Sequence, residues 1–318
     1  MQHQSRSQPW HLVRSIANRV LVSGLALCSS NLHAKTLNVH CGSISKTNPT
    51  SITAALKLLD PSVPNKLNIF GTCNENVLIK GFNRLTLVGT QGASIVDASG
   101  KTAQTILVVD STDVIFRQLT IDGGLVGVQC DSFSVCRFSG DVVANGSGGI
   151  QNTQSRAQLD GTVVRHTDNG LTSLDASSVR VDGGVILDGS GTGVVADGGS
   201  SFESFGATIS NSSLAGIEFS EHAFVSLSGT TISGNGNGIE LIHHSSLHLG
   251  ASNTNTANNG YGIFLFDLSF ATFDPGNSVT GNNRNGIGAL DMACFPQFTA
   301  TRGALTNIGG RTTNCAEN

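Results

Sequence analysis

The chain has 318 residues, 39 of them glycine against 6 proline, one tyrosine, one tryptophan and a formal net charge of −4. Such a glycine-rich chain with few aromatics is an unusual α/β enzyme, and its acid excess speaks against nucleic acid as a partner. Helical periodicity is scarce, so the composition suits many short strands joined by turns.

At the N-terminus, Arg6, Arg14 and Arg19 precede the apolar run Val20–Leu27, and the polar Ser29-Ser30-Asn31 leads to Ala34. This layout predicts a cleavable secretory signal over residues 1–34, whose apolar part is too short to span a bilayer. A lipid-anchored alternative through Cys28 is disfavoured by the bulky Leu27 before it. Cleavage removes three arginines and no acid, moving the charge from −4 to −7, and leaves a secreted or periplasmic protein with no membrane segment. Pro49 to Leu59, with apolar Ile52, Ala55, Leu56 and Leu59, predicts a short amphipathic helix at about residues 50–60. Strands follow at Leu67–Phe70, Val77–Ile79 and Leu85–Val88. Cys41, Cys73, Cys130, Cys136, Cys294 and Cys315 remain after cleavage, an even count that predicts disulfides in an exported chain. Their distribution favours the local pairs Cys41–Cys73, Cys130–Cys136 and Cys294–Cys315. No Cys-x-x-Cys occurs, which speaks against a metal cluster.

A glycine followed by an aliphatic residue then recurs at Gly127-Val128, Gly149-Ile150, Gly170-Leu171, Gly193-Val194, Gly216-Ile217, Gly238-Ile239, Gly262-Ile263 and Gly286-Ile287. The steps are 22, 21, 23, 23, 22, 24 and 24 residues. Each unit has the same order. A strand opens on the glycine, and a polar turn such as Asp175-Ala176-Ser177-Ser178 follows. Next come a second strand (Val179-Arg-Val181, Phe224-Val-Ser-Leu227), a glycine, a third strand such as Thr230-Thr-Ile232, and a closing turn such as Asn235-Gly-Asn-Gly238. Three strands without a helix between them cannot form a βαβ sheet, but they can coil, each pairing in parallel with its equivalent one turn on. Coils stacked about 4.8 Å apart align equivalent side chains in ladders. The residue after each glycine predicts an inward aliphatic ladder. Asn145, Asn211, Asn235, Asn258 and Asn282 predict an asparagine ladder in the closing turns. Glycine at the corners is expected to supply the positive φ of tight turns.

This period and these residues resemble the right-handed parallel β-helix repeats of the pectate lyase and polygalacturonase superfamily, over roughly residues 84–293. The resemblance implies an all-β fold: a single-stranded right-handed parallel β-helix of three short strands per ~22-residue coil, plugged at its N-terminal end by the short capping helix. The chain then divides into a signal peptide (1–34), an N-terminal cap with the first strands (35–83), the β-helix (84–293) and a C-terminal cap or tail (294–318).

Aligning the coils on the glycine turns the sequence into columns. Two positions on stand Gln129, Gln151, Thr172, Val195, Glu218, Glu240, Phe264 and Gly288, which should point outward because the preceding residue points in. Five positions on stand Ser132, Gln154, Asp175, Gly198, Glu221, His243, Asp267 and Asp291. The columns meet around Glu218, Glu221, His222, Glu240, His243 and His244. Glu218 and Glu240 on adjacent coils would lie about 5 Å apart, near the spacing of acid and nucleophile in retaining glycosidases. Like charges that close raise one pKa, and His243 beside Glu221 would serve as a base. Glu218, Glu240 and His243 are thus the candidate catalytic residues, with Glu221, His222, His244 and Asp267 as binding residues. The plainer reading makes these columns solvated polar surface.

From Val181 to Asn283 there is no Lys or Arg and nine acids: Asp182, Asp188, Asp197, Glu203, Glu218, Glu221, Glu240, Asp267 and Asp274. This stretch repels polyuronates unless a cation bridges them. No cofactor is expected, and calcium is the cation that carboxylates and turn carbonyls would suit. The superfamily's catalytic signatures are absent: no Asn-Thr-Asp, Asp-Asp, Gly-His-Gly or Arg-Ile-Lys occurs, and Asp274-Pro275 is followed by Gly276 rather than the histidine of alginate epimerases. Arg137, Arg156 and Arg180 lie in earlier coils, away from the acidic columns, and Tyr261 is the lone tyrosine. The expectation is an exported solenoid that binds a glycan or cell surface. The alternatives are a polysaccharide hydrolase or lyase acting through Glu218 and Glu240, and a subunit of a surface assembly.

Overall fold

The computed structural model describes residues 34–42, 47–187, 191–282 and 291–295, with short backbone stretches at 299–300, 308–309 and 316–317. The expected leader (except Ala34), Asp188, Gly286-Ile287-Gly288 and Cys315 lie outside them. The chain folds as an all-β parallel solenoid of about nine turns. Ten strands make the first face, from Val77–Lys80 through Val126–Asp131 and Ala215–Phe219 to Met292–Phe295. The second and third faces join into one sheet of 20 strands, because Asn65–Asn74 and Asn83–Val96 run through the corner between them. The stack starts at Lys35–His40, paired with Asn65–Phe70, and reaches Ile308–Gly309, beyond both ends of the 84–293 span.

The aliphatic ladder forms as expected over its described members. Val128, Ile150, Leu171, Val194, Ile217, Ile239 and Ile263 are in register and buried. The eighth rung differs. Ile263 pairs with Met292, and Asp291 takes the glycine's place, its carbonyl accepting from the Ile263 N–H at 2.9 Å. Asp291 therefore does not belong to the turn column, and Ala293 rather than Gly288 follows Phe264. The stacking continues at this step, with Met292 in the place that the period gives to Ile287.

The repeat glycines serve a purpose other than turning. None from Gly127 to Gly262 has a positive φ. A Cβ on Gly149 would lie 2.3 Å from the Gly170 carbonyl oxygen and 2.5 Å from Val164 Cγ1. Glycine is required because the next coil's backbone and a β-branched side chain already fill that space.

Hydroxyl and amide ladders satisfy the buried backbone at the corners. After the first face, Phe82, Ser111, Ser134, Ser155 and Ser177 each donate a backbone N–H to the serine hydroxyl one coil on, at 3.1–3.2 Å. In the closing turns the Ser212, Asn235 and Asn258 N–H groups donate to Asn235, Asn258 and Asn282 Oδ1. Asn145 and Asn211 stand outside this ladder. Both are exposed in the left-handed region, and Asn145 instead donates to Asp122 at 2.7 Å. They sit one residue before the corner that Ser212 and Asn235 occupy, where the side chain points to water.

The capping helix is shorter than expected, Ile52–Leu56, with Ser51 as its N-cap. Turn-type bonds continue from Leu58 to Ala55 and from Leu59 to Leu56, and Pro61 disfavours helical geometry at Asp60. Ile52, Ala55, Leu56 and Leu59 are all buried. Glu75 binds the Ile52 and Thr53 N–H groups at 2.6 and 3.0 Å, two residues after Cys73. Cys73 is bonded to Cys41, and Cys130 to Cys136. Cys294 is also disulfide-bonded.

Asp141 carries a testable pH effect. It is buried at the corner between the second and third faces, where it accepts from the Leu119 and Ser139 N–H groups at 2.8 Å each. Burial pushes its carboxyl up to about 6 despite those bonds. An unfolded Asp titrates near 3.9, so the folded state binds the proton more tightly. This contribution to stability is therefore present below about pH 4 and is lost as pH rises through about 6. Two pKa units correspond to at most about 3 kcal/mol. Urea denaturation at pH 4 and pH 7.5 should show the wild type losing more stability than Asp141→Asn, and parallel losses would contradict this account.

Candidate functional site

The outward column of the first face is in the expected register: Gln129, Gln151, Thr172, Val195, Glu218, Glu240 and Phe264. Glu218 and Glu240 are direct neighbours on adjacent coils, each half-buried. Thr192 Oγ1 lies 3.4 Å from Glu218 Oε2. Asn237 holds Glu240 more tightly: its Oδ1 accepts the Tyr261 N–H at 2.8 Å, so its Nδ2 faces Glu240 Oε1 and donates to it. Gly260 has no side chain because a Cβ there would meet Asn237 Oδ1. Burial pushes the Glu240 carboxyl above the usual range, the Asn237 amide opposes this, and the Glu218 charge adds to the rise. The pair thus contains one carboxyl biased towards its protonated form, with the Asn237 bond on Oε1 leaving Oε2 to carry the proton.

Three aromatic rings adjoin this pair, a feature that a count of one tyrosine hides. Phe264 is in register with Glu240. Its ring is stacked 5.5 Å from Tyr261 and 6.1 Å from Phe266. The signal is present in the outward column, where Phe264 follows Glu240. An apolar platform beside paired carboxyls suits a sugar ring, which has both apolar faces and polar edges.

The histidines form a neighbouring group rather than part of the pair. His243 is exposed at the turn, with φ 51°. Three residues of strand, about 10 Å, separate it from Glu240. Its carboxylate partner is Asp267, with Nε2 to Oδ2 at 3.9 Å, rather than the expected Glu221. The ring leans towards the following coil, where Asp267 holds the same turn position. His222 and His244 stack at 5.2 Å on the adjoining position, and Glu221 is exposed. The structure therefore brings together Glu218 with Glu240, and separately His222 with His244 and His243 with Asp267.

Among the described residues, the one group of three ligand atoms close enough to share an ion is Cys41, Cys73 and Glu75. Its sulfurs are joined in a disulfide, so it does not fit a cation. The acidic columns offer no such set for calcium among the described residues.

Comparison with known proteins agrees with this architecture. Residues 104–253 match the family described as the right handed beta helix region. No curated protein sequence matches the chain. Among solved structures, the enzymatically active domain of tailspike protein 2 from bacteriophage CBA120 is 14% identical with a TM-score of 0.55, covering 85% of this chain and 47% of that one. The chain thus spans about half the length of that domain. The A-module of mannuronan C-5 epimerase AlgE4 from Azotobacter vinelandii is 11% identical with a TM-score of 0.55, covering 84% of this chain and 90% of that one. The AlgE6 A-module is 13% identical with a TM-score of 0.51, covering 84% and 91%. Together with the glycine ladder and the parallel register, these matches show the fold of the chain, a right-handed parallel β-helix.

Proposed function

We propose that this chain binds an uncharged polysaccharide along its first face, with sugar rings on Tyr261 and Phe264 and hydroxyl groups on Glu218 and Glu240. The observation that carries the proposal is the in-register run Glu218, Glu240, Phe264, with Tyr261 stacked beside it. The similar solved structures include an epimerase named for a polysaccharide, which supports a glycan ligand. Mannuronan is anionic, whereas the stretch from Val181 to Asn283 has no Lys or Arg to meet an anion, so an uncharged chain fits this face better. The disulfides fit an extracellular or periplasmic protein, and removal of residues 1–34 on export is part of the proposal, checked by N-terminal sequencing of the exported protein.

Binding is tested by titration calorimetry with a panel of neutral hexasaccharides. Phe264→Ala is expected to weaken the bound hexasaccharide about tenfold through lost ring contact. Affinity indifferent to Phe264 and Tyr261 would exclude this face. A second reading, hydrolysis, is favoured by one specific observation: burial and the Glu218 charge raise the Glu240 pKa. Glu240 would give its proton to the glycosidic oxygen while the Glu218 carboxylate attacks the anomeric carbon. Water then releases the sugar and restores the Glu240 proton. A strand spacing of about 4.8 Å is near the separation of the retaining geometry.

A further inference from the structure

We infer that a second site, on the edge between the first and second faces in the earlier coils, binds an acidic sugar through Arg156 and Phe133. Two clefts of about 640 and 460 Å³ meet there and share the wall formed by Val135, Arg156, Ser178 and Ser201. This edge is distinct from the outward face of Glu218 and Glu240, and its ligand carries a negative charge where the ligand of that face is neutral.

Three arginines stand in consecutive coils, and their surroundings differ. Arg137 meets Asp113 at 3.1 Å. Arg180 meets Asp182 at 2.9 Å and stacks over the Phe205 ring at 4.5 Å. Arg156, on the coil between them, is exposed, and its guanidinium has no hydrogen-bond or ion-pair partner among the described residues. The two flanking cations are neutralised and the central one, at the junction of both clefts, is left free. A planar guanidinium with open donors is the group that receives a carboxylate or sulfate in bidentate fashion. Asp175 lies on the wall of the first cleft and Glu203 on that of the second. Neither comes within ion-pair distance of Arg156, and both leave it facing the open space.

The lip of the first cleft is Phe133, a residue 81% exposed. It sits at φ 60°, in the left-handed region that bulky residues avoid. The Cys130–Cys136 disulfide closes the turn that carries it. A large apolar residue held in water, in an unfavourable backbone conformation and by a covalent brace, points to a surface kept for contact. Below Phe133, the equivalent turn residues shrink to Ala176 and Gly199, and the coil between has one residue fewer before its ladder serine, Ser155. These small residues and that shortened turn hollow out the cleft. An aromatic ring beside an unpaired guanidinium, with the Gln154 amide and the Ser178 and Ser201 hydroxyls around them, matches a saccharide unit with one apolar face, hydroxyl edges and a negative charge.

The test is calorimetry of the full chain with hexagalacturonate, a sulfated hexasaccharide and uncharged maltohexaose, at low and high salt. At least one acidic hexasaccharide is expected to bind with an affinity that falls as salt rises. Whichever binds identifies carboxylate or sulfate as the recognised group. Arg156→Gln should weaken it at least tenfold and Phe133→Ala about fivefold, at an unchanged melting temperature, while Glu240→Gln leaves it unaltered. The inference is overturned by maltohexaose binding that Arg156→Gln weakens as much as it weakens the acidic probe, by an acidic-probe affinity that Arg156→Gln does not change, or by binding of neither acidic probe. None of these results depends on the Glu218–Glu240 face, whose own probe is neutral and whose own variant is Phe264→Ala.

Discussion

Gly170→Ala is expected to destabilise the solenoid by about 3 kcal/mol or more, at the upper end of what an overpacked core costs. The added Cβ would lie 2.4 Å from the Gly193 carbonyl oxygen and 2.8 Å from Ile186 Cγ2. The oxygen belongs to the backbone of the next coil, so relief requires moving a whole rung of parallel strand. Gly161→Ala is the matched control. Gly161 has a positive φ of 57°, but a methyl group there would meet nothing within 4 Å, so its cost is the left-handed penalty alone, about 1–2 kcal/mol. Urea denaturation of both variants separates the two causes. Equal midpoints would mean that the repeat glycines are selected for conformation after all. Each coil contacts only its neighbours, so a break at Gly170 is also expected to uncouple the two halves of the stack and broaden the transition.

The ladders are legible in the sequence where one residue type is the only one that fits. The glycine column is such a case: the obstructed Cβ positions from Gly127 to Gly262 leave no substitute. Because that column sets the register, the outward one from Gln129 to Phe264 follows correctly. The reason for the glycines does not follow, since close backbone approach and positive φ select the same residue. The serine ladder through Ser111, Ser134, Ser155 and Ser177 is hidden because serine is common in turns, and its buried hydroxyls pass for ordinary polar punctuation. Gly286-Ile287 fits the period, but Met292 makes the contact with Ile263. Spacing reports which residues are eligible, and the hydrogen bond from Ile263 to Asp291 decides which one is used. Adjacency alone pairs His243 with Glu221. Two carboxylates flank it one coil away on either side, and only the direction of the ring selects Asp267. The Arg156 cleft needs side-chain sizes at three turn positions and the pairing of every nearby acid, which no column displays.

Glu240→Gln separates binding from catalysis at the first face. If the pair hydrolyses a neutral glycan, turnover is expected to fall by about 10²–10⁴-fold, the range for losing a positioned general acid. The amide can still accept from Asn237, and it preserves shape and sugar contacts, so affinity should change little. The pH profile gives an independent check. Glu240 has its carboxyl raised by burial first and by the Glu218 charge in addition. An acid of this kind is protonated, and active, on the low-pH side. Activity should therefore decline as pH rises through the raised Glu240 range, and the decline should be missing from the residual activity of Glu240→Gln. Glu218 must be ionised to act as nucleophile, so Glu218→Gln removes turnover too, and it should lower the Glu240 pKa by taking away the neighbouring charge. Full turnover in Glu240→Gln would rule out this pair as the catalytic centre. Undiminished binding without turnover in the wild type would leave a solenoid that holds its glycan on the aromatic rings and uses the carboxyls only as hydrogen-bonding groups.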